Sequence, residues 1–182
     1  MISDKINTEI DFEERFFNDY FPWYWSPKTT KNGFPYLSHI VIHKHDPDKI
    51  YSTVWNDFKP ILIDLLKRNN LKLQKVLRCN VNLSTHWGTY SEVTEPHVDH
   101  EIPHYNCLVY INDISEKGET YIFEETYKEN EPSPTEVTVL HKVKPEKNKA
   151  IIFNGLNYHG TGQISPAEWR CVIVTTFTAT PA

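Results

Sequence analysis

No run of apolar residues in this chain approaches the ~20 that a membrane-crossing helix needs, so a membrane-spanning protein is not expected. Cysteine is scarce: only Cys79, Cys107 and Cys171 occur. Their number is odd, no CxxC pair is present, and each lies in or beside an apolar stretch. They therefore read as buried free thiols of a reducing compartment. Basic residues are outnumbered, 19 Lys and Arg against 24 Asp and Glu, for a net charge of −5. That balance argues against a generic nucleic-acid binder, which presents a basic patch. Internal repeats and low-complexity tracts are missing too. Met1 to Lys5 lack the charged-then-apolar pattern of a signal peptide. The expectation is a cytoplasmic protein, monomer or homodimer, with neither membrane nor nucleic acid as partner.

The 182 residues suit one domain. A domain of this size buries enough surface to fold without a metal or disulfide staple, so a metal site here is expected to be functional. The aromatic content of 13% favours a strand-heavy core. Phe12 to Trp25 is dense in aromatics that read as core, and Pro22 breaks any helix there. Tyr36 to His43 reads as a short strand. Between Ser52 and Arg68, Trp55, Phe58, Ile61, Leu62, Leu65 and Leu66 have the spacing of an amphipathic helix. Asn69-Asn70 is its stop, and Pro60 is either a kink or its true start. From Leu71 the pattern is β. Leu71 to Leu83 reads as one or two strands, followed by Tyr105 to Ile111, Glu119 to Phe123, Glu136 to Val143, Ala150 to Phe153 and Arg170 to Phe177. Turn signals such as Lys117-Gly118 and Asn154-Gly155 separate them, and the polar stretch Glu124 to Pro134 reads as an exposed loop. The expected fold is mainly β with N-terminal helices (α+β): one domain over 1–182, with buttressing helices and a strand in 1–70 and a jelly-roll core in 71–178.

The strongest chemical signal is Glu95-Pro96-His97-Val98-Asp99-His100. Residues two apart in an extended segment face the same way, so His97 and Asp99 can share one metal ion. His159 follows a short strand and the Asn154-Gly155 turn. Two histidines and one carboxylate make a facial triad that leaves one side of an octahedral metal open, the arrangement of non-haem Fe(II) oxygenases. HxD alone is a weak signal among nine histidines. Arg170 strengthens it, because a charge leading into a buried strand needs a partner. Its guanidinium fork fits a carboxylate.

In order, the chain carries His97-Val98-Asp99, Tyr110-Ile111-Asn112-Asp113, Gly118-Glu119-Thr120, Phe123, Ala150 to Phe153, His159 and Arg170. This series resembles the prolyl 4-hydroxylase-like branch of the Fe(II)/2-oxoglutarate oxygenases, from Arg78 to Phe177. The resemblance implies a cupin-like double-stranded β-helix in which His97, Asp99 and His159 hold catalytic Fe(II). It implies that Arg170, with Tyr110 beside it, binds the distal carboxylate of 2-oxoglutarate, and that O2 is the second co-substrate. The implied reaction is hydroxylation of a C–H bond in a peptide, prolyl residues included, or in a small molecule. A carboxylate ligand implies hydroxylation rather than halogenation. The sequence departs from the family at Lys117, where a first glycine is usual. It departs again on the strand before HxD, where the family has a tyrosine and this chain offers Asn80 or Asn82; the choice depends on register. Trp87 and Tyr90, just before HxD, are candidates to line a substrate pocket.

The rival cluster His43-Lys44-His45-Asp46 reads as a strand end running into a solvated loop; His100 and His104 could touch substrate or help orient a ligand, but they read first as surface residues. A non-catalytic, cupin-like metal- or ligand-binding module is the alternative function. A zinc hydrolase would need a general base, for which Glu95 and Glu101 are weak candidates.

Overall fold

The computed structural model describes residues 1–27, 34–86, 88 and 92–182. Two helices and eleven strands follow one another among them. They are β1 (Ile2–Lys5), α1 (Phe12–Phe16), β2 (Tyr24–Ser26), β3 (Tyr36–His43), β4 (Asp46–Ile50), α2 (Val54–Arg68), β5 (Leu71–Thr85), β6 (Tyr105–Tyr110), β7 (Thr120–Thr126), β8 (Val139–Val143), β9 (Lys149–Asn154), β10 (Asn157–Thr161) and β11 (Trp169–Pro181).

The large sheet has the order β1-β9-β6-β11-β5-β3-β2, with β4 paired to β3; the small sheet has the order β10-β7-β8. Isolated bridges from Val93 to Gly162 and from His97 to His159 add the HxD segment to the free edge of β10. The chain passes from β6 to β7 and β8, back to β9, across to β10 and back to β11, changing sheets as it goes. This is the expected double-stranded β-helix.

Side-chain alternation gives the large sheet two faces, each carrying an apolar cluster. Cys107 and Val109 of β6, Ala150 and Ile152 of β9, and Cys171, Ile173 and Phe177 of β11 face the helices, where they meet Phe12, Phe16, Phe58, Leu62 and Leu65. Leu108, Tyr110, Ile151, Phe153, Val172 and Val174 face the small sheet and pack with Ile122 and Val143. All three cysteines are buried and unpaired. Burial pushes the Cys79 thiol up to about 12. No described helix is long and apolar enough to cross a membrane.

The stretch read as one or two strands is the single long strand β5. Its pairing with β11 skips Leu77 and Gln74, so two bulges interrupt the ladder. Each extra residue shifts the alternation by one. That is how Leu71, Leu73, Val76, Cys79, Val81 and Leu83 all reach the helix-side core despite their uneven spacing.

Residues 1–70 supply four strands, not the one expected. β1 pairs with β9 and β3 with β5, so this segment widens the large sheet as well as covering it. β1, β2 and β4 are short, and β4 (Asp-Pro-Asp-Lys-Ile) carries no apolar alternation to reveal it. β10 was not expected either, and β7 continues through Thr126, so Glu124 to Thr126 is strand and not loop. Pro60 lies inside α2 and neither starts nor ends it. Both Pro60 and Asn56, the residue whose carbonyl loses its partner, are exposed, so the missing hydrogen bond falls on the solvent side of the helix. Asn69 and Asn70 end the helix as expected, Asn70 with φ 62°. The N-terminal aromatics divide: Phe12 and Phe16 are buried, Phe21 and Trp23 pack against the core, and Tyr20, Tyr24 and Trp25 are exposed.

Phe58 is fully buried and contacts Phe12 and Trp55. Phe58→Ala removes the ring that joins both helices to the sheet. It is expected to cost about 3–5 kcal/mol, read as a lowered midpoint of denaturant unfolding.

Candidate active site

Rows of directly opposed residues run across the interior face of the large sheet. One is Asn106, Thr176 and Arg78; the next is Leu108, Val174 and Asn80; then come Tyr110, Val172 and Asn82, and finally Arg170 with Ser84. Toward β9 the rows are apolar and filled by Ile151 and Phe153. Toward β5 they are polar, and a cavity of about 350 Å³ opens between the sheets there. Arg78, Asn82, His97, Asp99, His159 and Arg170 are among its lining residues.

His97 and His159 exchange both backbone hydrogen bonds, 3.1 and 3.0 Å long. Such a directly opposed pair puts its side chains on one face, and the two rings lie 4.6 Å apart. Asp99, two residues after His97, joins them. One ligand atom from each of the three lies within 4.8 Å of the others. Nδ1 of His97 is 3.1 Å from the Glu95 carbonyl, and Nδ1 of His159 is 3.1 Å from that of Asn157. With the proton on Nδ1 both carbonyls are satisfied, and each Nε2 keeps a lone pair for a metal. Burial, with His159 nearby, pushes His97 down to about 4, so its ring is neutral at neutral pH.

Asp99 is held from the sheet below. Arg78 Nη2 lies 3.0 Å from Oδ1, and Asn106 Nδ2 donates to Oδ2 over 2.9 Å. Burial opposes the carboxylate, but the Arg78 guanidinium and the neighbouring histidines hold its pKa well below the usual carboxylate range. His100 Nε2 lies 2.8 Å from Thr176 Oγ1, so the HxD segment is tied to all three residues of one row.

Arg170 occupies the other end of the cavity and is only 4% exposed. Its Nη2 donates to Thr120 Oγ1 over 2.8 Å, and the Tyr110 hydroxyl donates to the same oxygen over 2.7 Å. The guanidinium lies 5.4 Å from the Tyr110 ring centre. Arg170 Nε has no hydrogen-bond partner, and among the described residues no carboxylate pairs with this side chain. A buried guanidinium without a counter-charge is costly, which marks a place for an anion from outside. Gly118 lies beside the stem of this side chain. Its φ is +69°, and an added Cβ would stand 3.0 Å from Ile114 Cδ1 and 3.7 Å from Arg170 Cδ. Lys117 also adopts a positive φ of 60°.

Asn80 and Asn82 both point to the interior face, but only Asn82 lines the cavity, where Ser38 Oγ donates to it over 2.9 Å. Tyr110 is fully buried behind the cavity wall, with its hydroxyl committed to Thr120. Trp87 and Tyr90 lie outside the described residues. His43 ends β3 and His45 lies in the turn that leads to β4, and neither lines the cavity. His100 and His104 are not surface residues. His100 is half-buried, and His104 is 4% exposed because it packs on Gly155, where any Cβ would meet its ring within 2.4 Å. Sequence reasoning overlooked Arg78, Asn106 and Thr120. Asn106 carries the signal that singled out Arg170, a polar group in an otherwise apolar strand; Arg78 does not, because β5 has polar residues along its whole length.

No family model matches the sequence, and no curated protein matches it. Solved structures do match. An oxidoreductase of the 2OG-Fe(II) oxygenase family from Burkholderia pseudomallei superposes with a TM-score of 0.60 at 10% identity, over 92% of this chain and 78% of that one. This chain has the fold of the 2-oxoglutarate/Fe(II) oxygenases. The non-haem α-ketoglutarate-dependent epimerase SnoN of nogalamycin biosynthesis gives 0.63 at 14% identity, over 92% and 70% of the two chains. SnoN has also been seen with Fe3+, α-ketoglutarate and nogalamycin RO. A prolyl hydroxylase from Trichoplax adhaerens, in complex with a hypoxia-inducible-factor peptide, gives 0.53 at 13% identity, over 84% and 70%.

The depressed pKa of His97 has a consequence for stability. Between about 6.5 and about 4 the unfolded chain binds a proton that folded His97 refuses. Stability of the metal-free protein therefore falls as pH drops through that window, and His100, also pushed down to about 4, adds to the slope. His97→Gln should flatten it, as read from denaturant midpoints against pH.

Proposed function

We propose that this chain is a non-haem Fe(II)- and 2-oxoglutarate-dependent dioxygenase that hydroxylates a C–H bond of a peptide or small molecule, and that residues 1–182 act as one oxygenase domain. The observation that carries this reading is a buried Arg170 without a carboxylate partner among the described residues, at the far end of one cavity from His97, Asp99 and His159. A metal site alone fits many proteins. A metal site facing an unpaired buried guanidinium fits a ligand that chelates at one end and carries a carboxylate at the other.

In this reading His97 and His159 present Nε2, and Asp99 remains ionised under Arg78 and Asn106. Arg170 takes the distal carboxylate, with Thr120 fixing its guanidinium and Tyr110 fixing Thr120. Leu108, Val172 and Val174 line the wall between and exclude water. Bound iron and 2-oxoglutarate supply the chemistry, oxidative decarboxylation by O2 coupled to hydroxylation of the substrate. Support comes from the fold shared with enzymes named as 2-oxoglutarate/Fe(II) oxygenases and from the His-Asp-His cluster. Unpaired thiols and a net acidic chain fit a cytoplasmic enzyme without a nucleic-acid substrate. The binding-module alternative leaves Arg170 unexplained. The hydrolase lacks a base, since Glu95 and Glu101 are exposed and neither lines the cavity.

Anaerobic titration of the metal-free protein with Fe(II) and 2-oxoglutarate is expected to give the visible charge-transfer band of a chelated keto acid, only when both are present. His97→Ala should lose the band. Arg170→Ala should weaken 2-oxoglutarate binding by about tenfold to a hundredfold, the worth of a charge-assisted hydrogen bond. Asp99→Ala should abolish succinate formation. A folded protein that binds another metal tightly yet gives no band would overturn the proposal.

A further inference from the structure

Apart from histidine, the charged side chains lining the cavity among the described residues are Lys44, Arg78, Arg170 and a single carboxylate, Asp99. The two arginines occupy opposite ends. Arg78 is paired with Thr176 and Arg170 with Ser84, six residues apart along β11, which is about 20 Å of strand at ~3.3 Å per residue. Lys44 belongs to the Arg78 end. It follows the end of β3, where Ile42 pairs with Cys79. Lys44 is exposed at the cavity wall and makes no ion pair among the described residues. Arg78 is largely buried, with its Nε unpartnered.

Resting on the proposed function, the charges of the site can be apportioned. A divalent metal, Asp99, dianionic 2-oxoglutarate and Arg170 balance one another. Lys44 is left over, and Arg78 keeps only a share of Asp99, whose Oδ1 lies 3.0 Å from its Nη2; a largely buried cation that is undercompensated is unfavourable. In the free protein Asp99 satisfies Arg78; once Asp99 serves a metal, that compensation is shared. We infer that the substrate is a small anionic molecule, a carboxylic acid or a phosphate ester, whose anion is received by Arg78 and Lys44. The cavity of about 350 Å³ must also hold 2-oxoglutarate, so the room that remains suits only a small molecule. The target C–H bond then lies between this anion and the metal, on the side away from Arg170.

The test uses the full chain loaded with redox-inert Zn(II) and saturated with 2-oxoglutarate; uptake of both is measured first, so failure there counts against the oxygenase reading and not against this one. N-acetylglycine, N-acetylproline and N-acetylleucine are titrated beside their neutral amides, and methyl phosphate beside trimethyl phosphate, with binding read by calorimetry and by NMR shifts at β3 and β5. An anion is expected to bind at least tenfold more tightly than its neutral partner. K44Q should reduce that preference several-fold and leave the neutral partner's affinity unchanged. R78Q should abolish the preference and R78K should restore part of it. A preference confined to carboxylates or to methyl phosphate assigns the anion's class. Equal binding of charged and neutral partners, no binding of any anion, or a preference that survives both K44Q and R78Q would overturn the inference.

Discussion

Asp99 carries a negative charge into the space between two sheets, and the structure around it is arranged to keep that charge there. Arg78 and Asn106 reach it from the large sheet, while His97 and His159 approach from the small one. An ion without such partners would neutralise or unfold its surroundings. Because the compensating groups come from β5 and β6 and the carboxylate from the HxD segment, the same interaction that readies a metal ligand also fastens the sheets together at the open end of the cavity. The Thr176–His100 contact reinforces that seam.

The rest of the architecture follows from how the large sheet divides its faces. One face is largely apolar, with His39 and Thr175 as its buried polar exceptions, and takes both helices. The other changes from apolar at β9 and β6 to polar at β5, so the jelly roll is packed solid on one side and hollow on the other. The bulges at Leu77 and Gln74 keep β5's apolar residues on the helix side while Arg78, Asn82 and Ser84 face the cavity. One strand thus contributes to the core and to the site.

Much of this was legible in the residues. The strands from β5 onward, apart from β10, showed as apolar runs between turn signals, and α2 showed through its helical spacing. HxD, the late histidine and Arg170 stood out because polar groups beside apolar strands require a reason. β1, β2, β4 and β10 were not legible. They are short or polar, and they are strands only because a neighbouring edge pairs with them. His104 looked like a surface residue because nothing local says that Gly155 will lie against its ring. Arg78 and Asn106 were passed over because their partner, Asp99, is distant from Arg78 in sequence and on another sheet.

By itself, the sequence determined the residue types and their order: alternation that must bury one face, a histidine and an aspartate two apart, and an arginine entering a buried strand. Those are local properties, set by covalent spacing and side-chain polarity. Tertiary structure alone decided that His97 and His159 face each other across a ladder, that Arg78 balances Asp99, and that Arg170 finds Thr120 and Tyr110 but, among the described residues, no carboxylate. Each of those depends on strand register and on which sheet a segment joins. Register is settled by the collective burial of both faces, a quantity that no single stretch of the chain contains.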